Sequence, residues 1–164
     1  MNMKRILQHL ASPYWSFNKK FPPATLQDVT AAVRAAEAGH DGQIRVVVEP
    51  TIALGHILRG VTPRQRAIEV FSQLRVWDTE RNNGVLIYLC LADRQVEIVA
   101  DRGINCLAGP AEWERICQQM EIAFRSGQFR EGVLKGISAV GQLLGLHYGA
   151  AKPLNELPDS PVVL

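Results

Sequence analysis

The stretch from residue 77 to residue 104 constrains the fold of this chain more than any other. Residues 84–91 are almost wholly apolar (GVLIYLCL), which is typical of a strand covered on both faces inside a layered α/β domain. After a short polar turn, Val96, Ile98 and Ala100 alternate with polar residues, so the next strand has one wetter face. The stretch therefore predicts a β-hairpin within an α/β domain.

Helical and strand patterns on both sides of the hairpin complete the predicted fold. Residues 43–49 (QIRVVVE) form another strand. Residues 62–65 (TPRQ) combine a capping hydroxyl, a proline at the first helical position and a reciprocal amide, which predicts a helix start. Because a helix lies between the strands at residues 43–49 and 84–91, these two strands are expected to pair in parallel. The second strand of the hairpin then adds to the sheet in the antiparallel direction. We therefore predict a three-layer α/β sandwich with a small mixed sheet.

The hairpin also resembles the TPM domain family. Its members enter a central strand through an Asn-Gly-Val-Leu sequence, which stands here as Asn83-Gly84-Val85-Leu86; Asp93-Arg94 fills the turn and Gly103 follows the second strand. With its flanking helices the resemblance covers about residues 43–144. It implies an α/β sandwich of Rossmann-like shape, and for some members phosphatase activity and calcium binding are proposed.

Composition favours one compact domain in a reducing compartment. The chain has 164 residues, 47% of them hydrophobic, which suffices for a core of its own. The net charge of +2 is too small to indicate nucleic acid binding. Of the three cysteines, Cys90 and Cys117 fall at apolar positions, and the odd count argues against a disulfide framework. Since no secretory signal or apolar run of ~20 residues is seen, we expect a cytoplasmic protein.

The two ends of the chain are predicted to lie outside the TPM-like domain, which we assign to residues 23–148. Residues 1–22 carry a basic, amphipathic helical stripe and an aromatic loop, and no acid precedes Asp28. They are interpreted as an arm for weak membrane-surface contact, and the alternative is that the arm packs across its own domain. The candidate docking residues are Lys4, Arg5, Trp15, Lys19 and Lys20. Residues 149–164 contain three prolines and no helical stripe, so we expect a mobile tail.

Polar residues gather at the open end of the predicted hairpin. Asp78 and Asn83 precede its first strand, and Asp101 follows the returning strand to the same end. Their oxygen atoms suit calcium or magnesium, so we predict that these three residues hold a cation if one binds, with Arg102 as an anion contact. The alternative is that the side chains only form hydrogen bonds within their own loops.

Two further observations leave the function open. In α/β sheets ligands bind beyond the carboxyl ends of parallel strands, which points to Glu49 and residues 91–94 at the opposite end. The sequence has no glycine-rich phosphate loop, GxSxG, HExxH or paired-cysteine motif, and no cysteine followed by the arginine of a cysteine phosphatase. Our first hypothesis is a non-catalytic interaction module with an unknown protein partner, assisting an envelope or stress-related process. The alternatives are a weak metal-dependent phosphatase and an accessory protein with no ligand.

Overall fold

The computed structural model describes residues 3–11, 14–149 and 155–164, apart from the side chains of residues 14 and 15. Its sheet has strands β1 (Gln43–Glu49), β2 (Gly84–Cys90), β3 (Gln95–Ala100) and β4 (Val162–Val163). The strands lie in the order β3-β2-β1-β4. β1 pairs in parallel with both β2 and β4, whereas β2 and β3 form the antiparallel hairpin. The mixed sheet confirms the predicted α/β fold.

Helices cover both faces of this sheet. The helices of the described residues are α1 (Met3–Leu10), α2 (Tyr14–Lys20), α3 (Pro23–Glu37), α4 (Leu54–Leu58), α5 (Pro63–Gln73), α6 (Arg102–Ala108), α7 (Pro110–Arg125) and α8 (Phe129–Tyr148). Apolar side chains of α3, α7 and α8 form one core with the sheet, and those of α4 and α5 form a second core on its other face. The three layers follow from burial of every residue of β1 and β2.

The helix boundaries reflect local chemistry. The Thr62 hydroxyl accepts a hydrogen bond from the Gln65 backbone N–H, and the Gln65 side chain accepts one from the Thr62 N–H, which confirms the predicted capping box at α5. α8 packs closely because two of its glycines lie against other helices, Gly136 against Met120 and Gly141 against Ala36. Within the described ranges, no helix combines the length and apolarity needed to cross a membrane.

The amino-terminal segment packs against the rest of the chain. Residues 14–20, expected to lie in a loop, form helix α2. Phe17 and Phe21 are only 4% and 1% exposed and belong to the larger core. A helix of seven residues is too short for its periodicity to be read from sequence, so the pattern shows the aromatic residues but not the helix.

The carboxyl-terminal segment also differs from expectation. Residues 155–164, which we expected to be mobile, contribute buried Leu157 to the second core and strand β4 to the sheet. The Gln43 side-chain oxygen accepts hydrogen bonds from the backbone N–H groups of Glu156 and Leu157, at 2.8 and 3.0 Å. Long-range pairing thus orders a proline-rich segment without periodicity of its own. Residues 150–154 lie outside the described part.

Candidate cation site at the strand ends

The strand register places three polar residues at one edge of the sheet. Gln43 of β1 pairs with Gly84 of β2, and the Asp101 backbone N–H donates to the Gly84 carbonyl at 2.8 Å. Asp41, Asn83 and Asp101 are therefore the polar residues at the beginning of β1, the beginning of β2 and the end of β3. As predicted, the hairpin brings Asn83 and Asp101 to the same end.

Asn83 is held rigidly in this position. Its side chain is fully buried, and its Nδ2 donates to the Asp41 carbonyl at 2.9 Å, while its backbone N–H donates to the Thr79 hydroxyl at 3.1 Å. The residue after Asn83 must be a glycine, because a Cβ on Gly84 would lie 1.9 Å from the Val76 carbonyl oxygen. The Asn83 side-chain oxygen has no hydrogen-bond partner among the described residues.

Asp41 links the site to a surface arginine. One of its carboxylate oxygens accepts a hydrogen bond from Arg81 at 2.6 Å, and the Arg81 guanidinium lies 5.2 Å from the centre of the Tyr148 ring. Burial, opposed by Arg81, raises the pKa of Tyr148, and the charges of Asp41 and Asp101 add to this rise. The carboxylate of Asp41 is buried, and its other oxygen has no partner in the part of the chain that the structure describes.

Asp101 serves as the N-cap of α6. One carboxylate oxygen accepts a hydrogen bond from the Arg102 backbone N–H at 2.7 Å. The other is buried and lacks a partner within the described residues. A Cβ on Gly103 would lie 2.5 Å from the Asn82 carbonyl oxygen and 2.9 Å from the Tyr148 hydroxyl. The start of α6 therefore packs closely against α8 and against the loop that precedes β2.

The arrangement therefore differs in part from the predicted ligand set. Asp78 is exposed, and no side-chain contact within the described residues ties it to the other two. Arg102, the predicted anion contact, is exposed beside Asp101. Sequence reasoning missed Asp41, although a signal existed. Asp41-Gly42 stands just before β1, Asn83-Gly84 stands where β2 begins, and parallel neighbours begin at the same edge.

Three buried oxygens that have no partner among the described residues are the chemical signature of this site. A buried polar atom left unpaired costs about 1–3 kcal/mol, so three of them at one sheet edge need an explanation. Carboxylate and amide oxygens are ligands of hard divalent cations, whereas zinc prefers nitrogen and sulfur. The site offers two carboxylates and one amide oxygen, from Asp41, Asp101 and Asn83.

At the opposite end of the sheet, the last residue of β1 belongs to an ion-pair network. The Glu49 carboxylate accepts hydrogen bonds from the Arg66 guanidinium at 3.0 and 3.1 Å, and the Tyr88 hydroxyl donates to it. Burial, together with the charges of Cys90 and Glu49, raises the pKa of Tyr88, so its hydroxyl remains a donor. These partners satisfy Glu49, which therefore takes a structural role.

A second group of metal-type ligands lies near that end. Single ligand atoms of His9, Cys90 and Asp93 fall within 4.8 Å of one another. However, the His9 Nδ1 accepts the Ile52 backbone N–H at 3.1 Å, which places the proton of a neutral imidazole on Nε2, facing Asp93 at 3.1 Å. Asp93 also accepts from Arg5, with a closest distance of 2.8 Å. This group therefore ties α1 to the hairpin turn and leaves no lone pair on His9 for a metal.

Comparison with known proteins identifies the family of this chain. The family model described as the TPM domain matches residues 17–143, well over half of the chain. The chain belongs to the TPM domain family. No curated protein matches it.

Solved TPM-like structures share the fold. The chain is similar to the NMR structure of the BA42 protein from the psychrophilic bacterium Bizionia argentinensis, with 29% identity and a TM-score of 0.75 over 86% of this chain and 93% of that one. It is also similar to an N-terminal domain from P. gingivalis, with 25% identity and a TM-score of 0.63 over 79% and 81% of the two chains. The N-terminal domain of the cg2496 protein from Corynebacterium glutamicum, at 16% identity and a TM-score of 0.56 over 82% and 80%, shares the fold.

Proposed function

We propose that this TPM protein is a non-catalytic interaction module that binds a divalent cation at the ends of β1, β2 and β3. The observation that carries the proposal is that three buried oxygens, on Asp41, Asn83 and Asp101, lack a hydrogen-bond partner in the described part of the chain. A cation would satisfy all three at once and join three strands and helix α6. Such a module would present a more rigid surface to a protein partner once the cation is bound.

The ligand types favour calcium over magnesium. Calcium accepts six to eight oxygens, including amide and carbonyl oxygens, whereas magnesium retains several waters and demands octahedral geometry. The Arg81 guanidinium already neutralises part of the Asp41 charge. We therefore expect weak binding, with a dissociation constant of about 10⁻⁴ M or higher.

Calorimetry with calcium and magnesium tests this proposal. We expect calcium to bind the wild type, and Asp101→Asn to weaken binding at least about tenfold, because it removes one ligand charge but retains an N-cap residue. Asp41→Asn should behave similarly. The matched control is Asp78→Asn, an exposed aspartate, which should leave binding unchanged. Absence of heat at millimolar calcium, or unchanged binding in Asp101→Asn, would refute the site.

A second candidate function is weak, metal-dependent phosphatase activity. It is favoured by two arginines beside the site, exposed Arg102 and half-exposed Arg81, which could hold a phosphate near a metal-activated water. Burial raises the pKa of Cys90 and of Cys117 to about 12, so neither is a ready nucleophile. Turnover of p-nitrophenyl phosphate that needs the metal and falls in Arg102→Gln would favour this candidate over the non-catalytic one.

The exposed side chains of α1 and α2 support a weak membrane-surface contact. Of the candidate cations, Arg5 points inward to Asp93 and Lys20 lies against Phe129, whereas Lys4 of α1 and Lys19 of α2 are exposed. The side chain of Trp15, also a candidate, lies outside the described residues. Three apolar side chains of α1 remain 58–66% exposed: Met3, Leu7 and Leu10. Each basic residue adds roughly 1 kcal/mol at an anionic surface, so contact should be weak and salt-sensitive.

Vesicle sedimentation tests this contact. Binding to phosphatidylserine vesicles should fall as salt rises and should be lost in Lys4→Glu, with Lys135→Glu on α8 as the control. Equal binding by both variants would contradict a role for α1.

A reducing, cytoplasmic location remains part of the proposal. It is supported by the three cysteines, all of which are free, with Cys90 fully buried in the sheet.

A further inference from the structure

A cavity lies beyond the carboxyl end of β2, at the opposite end of the sheet from the strand-end site. It has a volume of about 230 Å³ and is enclosed by the hairpin turn, the end of α2 and the loop between α7 and α8. In α/β sheets this is the edge at which ligands bind. Its charged and aromatic lining residues are Lys20, Arg94, Glu121, Arg125, Phe124 and Phe129.

The cavity carries an excess of positive charge. The Glu121 carboxylate pairs with Arg125 at 3.2 Å, and its other oxygen accepts the Val96 backbone N–H at 3.2 Å. Lys20 and Arg94 form no ion pair within the described ranges. Burial lowers the pKa of Lys20, and the neighbouring Arg94 charge lowers it further, so a bound anion would relieve an unfavourable arrangement.

Part of the cavity wall is aromatic. The rings of Phe124 and Phe129 stack with centroids 5.3 Å apart, and the Lys20 ammonium lies 5.4 Å from the centre of the Phe129 ring. Phe124 is buried, while Phe129 is partly exposed to the cavity. The cavity thus places an apolar surface beside two cations that have no ion-pair partner among the described residues, which is the combination that an amphiphilic anion requires.

We propose that this cavity binds a small organic phosphate, with the phosphate held by Lys20 and Arg94 and the apolar part packed against Phe124 and Phe129. A phosphate monoester carries a charge of about −1.5 to −2 at neutral pH, which matches the two unpaired cations. The volume lies below the range of about 300–1,000 Å³ that is usual for drug-sized ligands, so the ligand is small. This inference does not rest on the proposed cation site.

Titration of the ¹⁵N-labelled protein with phenyl phosphate tests the inference. Adding EDTA removes any contribution from divalent cations, so the outcome is independent of the strand-end site. We expect saturable amide shifts around residues 20, 91–95 and 127–129. Lys20→Gln and Arg94→Gln should each weaken binding about tenfold, because each removes a charge-assisted contact. Lys135→Gln, which removes an exposed charge from α8, should have no effect.

Comparison ligands separate the two halves of the site. Inorganic phosphate should bind more weakly than phenyl phosphate because it lacks the ring, and phenol should bind more weakly because it lacks the charge. Equal affinities for inorganic phosphate and phenyl phosphate would overturn the aromatic assignment. Unchanged affinity in both cation variants, or absence of shifts at these residues, would overturn the site.

Discussion

Gly84 is the residue whose identity the fold tolerates least at the strand-end site. Its Cα lies so close to the Val76 carbonyl that any Cβ must displace backbone atoms. We predict that Gly84→Ala lowers the free energy of unfolding by about 3 kcal/mol, as expected for severe overpacking. Gly39→Ala is the matched control, because no atom lies within 4 Å of its Cβ position. Urea denaturation measures both, and equal stabilities would contradict the close approach.

Glu37 makes the stability of the folded protein depend on pH in a predictable way. Burial raises the pKa of this carboxyl to about 7, partly offset by the hydrogen bond it accepts from the Ile44 N–H at 2.6 Å. The folded state therefore binds the proton more tightly than the unfolded state. Its contribution to stability is complete below the unfolded pKa of about 4.5 and is lost as pH rises through about 7.

Glu37→Gln should remove this dependence while keeping an oxygen acceptor for Ile44. We expect the variant to be more stable than the wild type by about 1–3 kcal/mol at pH 8, with the difference shrinking toward pH 5. The control is Glu114→Gln on the exposed side of α7. Chemical denaturation across this pH range measures the effect, and parallel curves for wild type and Glu37→Gln would contradict it.

At the scale of elements, α1 and α2 are tied to the domain by both polar and apolar contacts. Arg5 and His9 contact Asp93, and Phe17 and Phe21 lie in the core. Burial alone would raise the pKa of Asp93, but the hydrogen bonds from Arg5 and His9 lower it overall, so these contacts stabilise the fold at neutral pH and weaken in acid. These contacts indicate that residues 1–22 contribute to the stability of the domain.

Deletion of residues 1–22 should therefore lower the melting temperature substantially. Phe17→Ala alone removes a buried ring, which costs about 3–5 kcal/mol and corresponds to a fall on the order of 10 °C in a chain of this size. Leu10→Ala, at a side chain that is 66% exposed, should change the melting temperature little. Thermal unfolding followed by circular dichroism measures these variants. An unchanged melting temperature after deletion would instead favour a free docking arm.

The elements that sequence could predict are those with a strong local pattern. β1 has the predicted bounds, and β2 and β3 each differ from prediction by one residue, because apolar runs and alternation identify strands directly. β4 has two residues and is ordered by pairing with β1, so no local pattern predicts it. Asp41 joins the candidate site for the same reason, since only the pairing of β1 with β2 brings it beside Asn83.

At the scale of the whole molecule, the two ends of one sheet differ in chemistry. Within the described ranges, the edge at Asp41, Asn83 and Asp101 presents oxygens without hydrogen-bond partners, and the opposite edge presents two cations without ion-pair partners, Lys20 and Arg94. A cation and an organic anion would therefore bind at separate sites. The family assignment establishes the fold, whereas these two edges carry the functional proposals.

Amide chemical-shift mapping with calcium tests the central claim most directly, because it reports both binding and location. The account predicts saturable shifts centred on residues 41–43, 81–84 and 101–104, which need at least about tenfold more calcium in Asp101→Asn and are unchanged in Asp78→Asn. Shifts confined to exposed acids such as Asp78 and Glu80 would contradict the account. The absence of shifts at about 10 mM calcium would also contradict it, because this concentration exceeds the dissociation constants of about 10⁻⁴–10⁻³ M that weak calcium sites have.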